Sequence, residues 1–319
     1  MTEVRPFVRS DRDQLTRLAN AHIAAVMPGW TVPVATVLAQ LEHQPGEYIV
    51  DPWVIDRATF VGIERERLVA AAHVLRYADE DRVSEDYRNA GDMAWLVCWP
   101  QHLEAGRAVR DAALARLGVW NVRIQYADGL LPTRATYGVS DAWPHVGRLY
   151  EEAGFDAEGG QTEVQFAGSV DGVPAPGDPP VPGLKLERAV GPWGTEFRAM
   201  LDGEIVGILE VDDDLTRGGS QLGLSGWADV ANHTVRDDLQ GRGIGSWLFA
   251  HGVAWLRLGG TTRLLVYTVE NDHFERSARY YRRFGLAPIN RTTRGWKRMG
   301  ASTPGPTSTA TSEDRSSST

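Results

Sequence analysis

The sequence predicts an α/β protein built from two related units, and three observations carry that expectation. The run Val235–Ser246, V-R-D-D-L-Q-G-R-G-I-G-S, packs a strand exit, a glycine turn and a helix start into twelve residues. Leu149–Phe155, L-Y-E-E-A-G-F, is echoed by Tyr280–Leu286, Y-Y-R-R-F-G-L, which pairs Tyr150 with Tyr281 and Gly154 with Gly285 at one offset of 131 residues. Between the halves, Asp171–Gly183, D-G-V-P-A-P-G-D-P-P-V-P-G, is too rich in proline and glycine for a helix or central strand and reads as a semi-stiff linker. The expected units are residues 1–170 and 184–299. A Ser/Thr/Pro/Gly-rich tail, 300–319, is expected to be disordered.

In the second unit, Leu184–Val190, Thr195–Leu201 and Glu204–Val211 read as strands leading to a further strand, Trp227–Val235. Trp247–Leu256 is apolar on nearly every side and reads as a buried helix, with Trp247 and Trp255 in the core. The first N–H groups of such a helix have no partner within it, and its dipole is positive at that end. Glycines without β-carbons therefore let an anion, typically a phosphate, approach closely. Spacing rules out two common phosphate loops: glycines at 241, 243 and 245 are one residue too tight for G-x-G-x-x-G, and the loop has no lysine for G-K-[ST].

The run resembles motif A of the GNAT superfamily of acyl-CoA-dependent N-acyltransferases, [QR]-x-x-G-x-[GA], which Gln240, Gly243 and Gly245 match position by position. After a strand-like Arg263–Val269, Glu275–Leu286 resembles the family's last helix, A-x-x-x-Y-x-x-x-G-[FL], with Ser277 at the small position, then Tyr281 and the closing Gly285. The resemblance implies two tandem GNAT-like domains, each a mixed, mostly antiparallel twisted sheet flanked by helices. It implies acetyl-CoA as acyl donor, held by Val235, Gln240, Gly241, Arg242, Gly243, Ile244, Gly245 and Ser246. The acceptor would be a small-molecule or peptide amine that attacks the thioester directly in a ternary complex. A different acyl chain, and a non-catalytic acyl-CoA-binding protein, remain alternatives at this point.

The first unit keeps the order of elements. A strand-like Met93–Trp99 precedes a helix-like Gly106–Leu117 and a further strand within Val119–Tyr126. Its turn puts Glu104 and Arg107 where Gln240 and Gly243 fall, so a carboxylate and bulky β-carbons face the helix start, and no coenzyme is expected there. Two helical stretches, Asp11–Met27 and Pro33–Gln44, precede its Ala58–Arg76 hairpin and have no counterpart in the second unit. In GNAT proteins that region usually forms one wall of the acceptor site. The wall is therefore expected from the first unit or from the loop Asp212–Trp227, with the acceptor pocket at the junction of the units.

Acyl transfer to an amine needs a neutral amine, a polarised thioester carbonyl and a proton for the leaving thiolate. The resemblance makes Tyr281 the candidate acid and assigns backbone N–H groups near Val235 to the pantetheine arm and the carbonyl. Asp229 and His233, four apart at period two, are expected on one face of their strand as candidate bases, with Glu210 as a third. The run Asp212–Asp213–Asp214 reads as a solvated turn. No two of the eight histidines have a ligand spacing such as H-x-x-x-H, so no metal is expected.

Composition fits a globular chain, with 24% charged and 42% hydrophobic residues. A net charge of −9 argues against a nucleic-acid surface. Cys98 is the lone cysteine, so no intramolecular disulfide forms. Charges stand where a signal peptide would have its apolar core, and no run approaches the ~18 apolar residues of a membrane span, so a cytoplasmic protein without a membrane partner is expected. The oligomeric state is not legible in the sequence.

Overall fold

The computed structural model describes residues 1–43, 51–127, 129–133, 137–213, 215 and 225–300. The expected disordered tail lies, from residue 301 on, outside the described residues. In chain order the first half supplies β1 (Glu3–Pro6), α1 (Arg12–Val26), α2 (Val34–Glu42), β2 (Val54–Glu64), β3 (Arg67–Tyr77), β4 (Ala90–Cys98) and α3 (Leu103–Val119). It continues with β5 (Ile124–Tyr126), β6 (Val139–Ser140), α4 (Pro144–Glu152) and β7 (Thr162–Ser169). The second half supplies β8 (Lys185–Val190), β9 (Thr195–Leu201), β10 (Glu204–Asp212), β11 (Trp227–Val235), α5 (Ile244–Leu258) and β12 (Arg263–Val269). It ends with α6 (Phe274–Arg282), β13 (Ala287–Thr293) and β14 (Lys297–Met299). The two helices absent from the second half, α1 and α2, lie where the apolar periodicity places them.

Two mixed, mostly antiparallel sheets result, but they do not follow the division at the Pro/Gly linker. The second sheet runs β6-β13-β7-β12-β11-β10-β9-β8, and the first runs β1-β2-β3-β4-β5-β14. Strand β7, from before the linker, is inserted between β12 and β13, pairing Thr268 with Val164 and Pro288 with Phe166. In return β14 pairs with β5, Arg298 opposite Gln125. Each sheet is thus completed by a strand from the other half. The cores follow: Val164, Phe166 and Val170 belong to the second, whereas Leu215 and Leu265 belong to the first.

The linker is anchored along α5. Trp247 donates its indole N–H to the Gly177 carbonyl at 3.1 Å, and Arg257 donates to the carbonyls of Val170 and Val173. Trp247 is buried as expected, while Trp255 is half-buried beneath the Arg188 guanidinium, 3.9 Å from its ring. No described helix is long and apolar enough to cross a membrane.

Candidate active site

The site begins where β11 and β12 part. These parallel strands pair only over Trp227–Val230 and Arg263–Val266, after which β12 stays with β7 and β11 with β10. At the same point β11 carries a bulge: Glu210 faces Asn232 and Val211 faces Val230, leaving Ala231 opposite nothing. Asn232–Val235 therefore keep β10 on one side and, among the described residues, have no strand on the other. Their backbone is an open edge onto which an extended ligand can add as a strand does.

The bulge corrects the expectation for the two candidate bases. One inserted residue inverts the alternation of side chains. Asp229 is paired with Asp212 and His233 with Leu209, and those partners are three apart on a regular stretch of β10. Asp229 and His233 therefore lie on opposite faces of the sheet.

The face bearing His233 is covered by α5 and α6, and between these helices and the open edge lies a cleft of about 610 Å³. Of the predicted coenzyme residues, Val235, Gln240, Gly241, Gly243, Ile244, Gly245 and Ser246 line it, and Arg242 is exposed in the loop outside the lining. Gly241 and Gly243 have φ of 76° and 87°, the left-handed region that glycine enters without strain. Gly243 is the N-cap of α5 and no side chain caps the helix, which leaves the N–H groups of Ile244, Gly245 and Ser246 for an anion. Gln240 holds the loop: its amide donates to the Val235 carbonyl at 3.0 Å and to Asp237 at 2.7 Å, and its oxygen accepts from Arg276.

Tyr281 and His233 meet in this cleft. Nε2 of His233 lies 3.1 Å from the Gly245 carbonyl, which can only accept, so Nε2 carries the proton and Nδ1 the lone pair. The Tyr281 hydroxyl, 3.4 Å from Nδ1, is then the donor of a long hydrogen bond. Packing among Phe249, Tyr280 and Tyr281 desolvates the imidazole and pushes its pKa down to about 4, the Gly245 hydrogen bond opposing. Burial likewise raises the Tyr281 phenol above its ordinary value. At neutral pH the pair is a protonated phenol held by a neutral imidazole. Its lone pair already engaged, His233 fits a positioning role better than that of a base.

The other face carries the carboxylates. Asp229 is buried, and its neighbours on that face lead to the first unit: Trp227 meets Trp30 edge-on at 5.9 Å, and Leu265, opposite Asp229, sits in the first core. Glu210 is fully engaged, one oxygen accepting from the Trp193 N–H at 2.7 Å and the other from Asn232 at 2.6 Å, so it ties the β8–β9 turn to β11. Asp212 is buried rather than solvated, Asp213 is exposed, and Asp214 lies outside the described residues. Among the described residues no group of three or more His, Cys, Asp or Glu could hold a metal ion. Sequence reasoning missed Arg276 and Arg283, which line the cleft with Tyr280; their i, i+7 spacing along Glu275–Leu286 is the signal that could have found them.

In the first unit the space between α3 and α4 is filled. Arg107 bonds Glu152 at 2.8 Å and Glu104 at 2.6 Å, and Arg110 bonds the Leu149 carbonyl at 2.9 Å. A β-carbon on Gly106 would lie 2.8 Å from Leu149, and Tyr150, the counterpart of Tyr281, is fully buried. Burial pushes the Cys98 thiol up to about 12, which leaves it unreactive.

Residues 174–286 match the acetyltransferase (GNAT) family. No curated protein matches the sequence at a significant level. Among solved structures, a tandem GNAT protein from the clavulanic acid biosynthesis pathway superposes with a TM-score of 0.59 at 15% identity, over 94% of this chain and 98% of that one. A GCN5-related N-acetyltransferase from Sphaerobacter thermophilus gives 0.59 at 14% identity, over 93% and 95%. The glucosamine N-acetyltransferase region of a fungal multi-domain GH3 β-N-acetylglucosaminidase gives 0.59 at 13%, over 93% of this chain and 38% of that one. At such identities the likeness is one of fold. The matched segment is thus a domain of the GNAT acetyltransferase family, set in a chain with the fold of a tandem GNAT protein.

Proposed function

We propose that the protein is an N-acetyltransferase that moves the acetyl group of acetyl-CoA to a small-molecule or peptide amine by direct attack in a ternary complex. One observation carries the reading: an open strand edge, an uncapped helix start and a protonated phenol converge on a single cleft. The open edge of β11 takes the pantetheine arm, and the N–H groups of Ile244, Gly245 and Ser246 take the diphosphate. The amine nitrogen bonds to the carbonyl carbon as the C–S bond breaks. Tyr281 gives the leaving sulfur its proton, and His233 holds the phenol in place.

The amine enters from the opposite face, where Asp229 takes its proton directly or through water. An acceptor wall drawn from both the first unit and the segment after β10 is supported by Leu215, which packs in the core of the first unit. We place the protein in the cytoplasm. Thiol release from acetyl-CoA, measured against an amine panel, tests the reading: amine-dependent turnover supports it, and tight coenzyme binding without turnover would favour a non-catalytic acyl-CoA-binding protein.

A further inference from the structure

The bulge sets Asn232 opposite Glu210 and Asp229 opposite Asp212. Glu210 and Asp212 are two apart on β10, so Asn232 and Asp229 share the face turned away from α5. Glu210 is buried and Asn232 is exposed. The contact between them has a direction. A carboxylate accepts and does not donate, so the group that meets Glu210 Oε2 at 2.6 Å is the Asn232 NH2, and Oδ1 of the same planar amide is turned away from it. The other Glu210 oxygen accepts from the Trp193 N–H at 2.7 Å, which keeps the carboxylate from rotating. Among the described residues Oδ1 accepts no hydrogen bond. A buried carboxylate thus presents a neutral oxygen at an exposed position of the open edge.

That position is where the reacting end of the coenzyme comes to rest. With its diphosphate at the start of α5, an arm along Asn232–Val235 runs back toward the fork of β11 and β12, and it stops at Asn232 because β12 occupies the edge of Trp227–Val230. An amine arriving on the Asp229 face meets the carbonyl carbon beside Oδ1. The neutral nitrogen of a primary amine carries a lone pair and two hydrogens. The lone pair forms the N–C bond as the C–S bond breaks, one hydrogen passes to Asp229 as a proton, and the other stays on nitrogen and needs an acceptor. A secondary amine has one hydrogen for both groups. We infer that Asn232 accepts a hydrogen bond from the attacking nitrogen, that Glu210 is the positioning residue that turns its amide, and that the acceptor is a primary amine. The inference rests on the acetyl transfer proposed above.

Thiol release by the full chain tests it, with benzylamine, hexylamine and a peptide with a free N-terminus each set beside its N-methyl derivative. The unaltered protein is expected to favour the primary member of every pair it acetylates by about tenfold in kcat/KM, the scale of one hydrogen bond. Asn232→Leu keeps the bulk and removes the oxygen, so the preference disappears without relief of crowding. Its kcat for the primary amine falls by about tenfold with acetyl-CoA affinity unchanged, because the N–H becomes a stronger donor as positive charge grows on the attacking nitrogen. Glu210→Gln leaves Asn232 in place and inverts it. The Trp193 N–H can only donate and keeps the glutamine oxygen, so the glutamine NH2 faces Asn232, which turns its oxygen inward and offers NH2 to the amine; the preference is lost again. Thermal melts check that each variant is folded. A preference that persists in either folded variant, or equal rates within each pair for the unaltered protein, overturns the inference while the transfer reading stands. Absence of amine-dependent turnover with every pair overturns the transfer reading, and the inference with it.

Discussion

Residues 184–299 contain every coenzyme-loop residue and Tyr281, yet as an isolated fragment they are expected not to fold. The fragment lacks β7, whose removal leaves β12 and β13 with facing, unpaired edges in the middle of the second sheet. It also lacks Val164, Phe166, Val170 and Val173, all buried in the second core, with Phe166 against Tyr281 at 6.1 Å between ring centroids. Burying such a side chain is worth about 1.5–3 kcal/mol, so the four together contribute on the order of 6–12 kcal/mol. A whole domain is stable by only about 5–15 kcal/mol, so the loss is comparable to the total. A fragment of residues 160–300 restores β7 and gives up the short pairings of β14 with β5 and of β6 with β13, together with the packing of Leu215 and Leu265 in the first core, and it is expected to fold and bind acetyl-CoA. Circular dichroism, thermal melts and calorimetry compare the two fragments, and a synthetic peptide spanning β7 is expected to rescue the shorter one. A cooperative melt and unimpaired acetyl-CoA binding by residues 184–299 alone would refute the reasoning.

Three further expectations concern the site. Tyr281→Phe removes the proton donor and keeps the ring, so kcat should fall by about 10²-fold or more with coenzyme affinity unchanged, and Tyr280→Phe should do much less; equal losses from the two would reject the assignment. Gly245→Val places branched carbons where a β-carbon already sits 3.4 Å from His233 Nε2, so calorimetry should show acetyl-CoA affinity down by at least about tenfold in a folded protein. His233 has its folded-state pKa pushed down to about 4 from an ordinary 6.5, so the stability linked to its neutral form is fully present above pH 6.5 and is lost as pH falls toward 4, by roughly 3 kcal/mol. Melting temperatures of the protein and of His233→Gln should therefore converge as pH is lowered across that window, and parallel curves would count against the neutral imidazole.

The sequence by itself determined what is local. A glycine at a left-handed turn, a helix start without a cap and the carboxylate of Glu104 at the matching turn of the first unit each depend on a few consecutive residues, and so motif A, the helix α6 with Gly285 after it, and the difference between the two units were all legible. Tertiary structure alone decided what depends on partners far along the chain. Period-two alternation marks a strand without naming its neighbour, so nothing within Thr162–Ser169 says that β7 enters the other sheet. The bulge at Ala231 arises from the pairing of β10 with β11, and by adding one residue to one strand it moved Asp229 and His233 to opposite faces. The bridges from Arg276 and Arg283 to Gln240 and Ser246 likewise exist only once α6 is packed beside α5, because a side chain's reach across a cleft is fixed by the approach of two helices and not by the spacing of residues within either one.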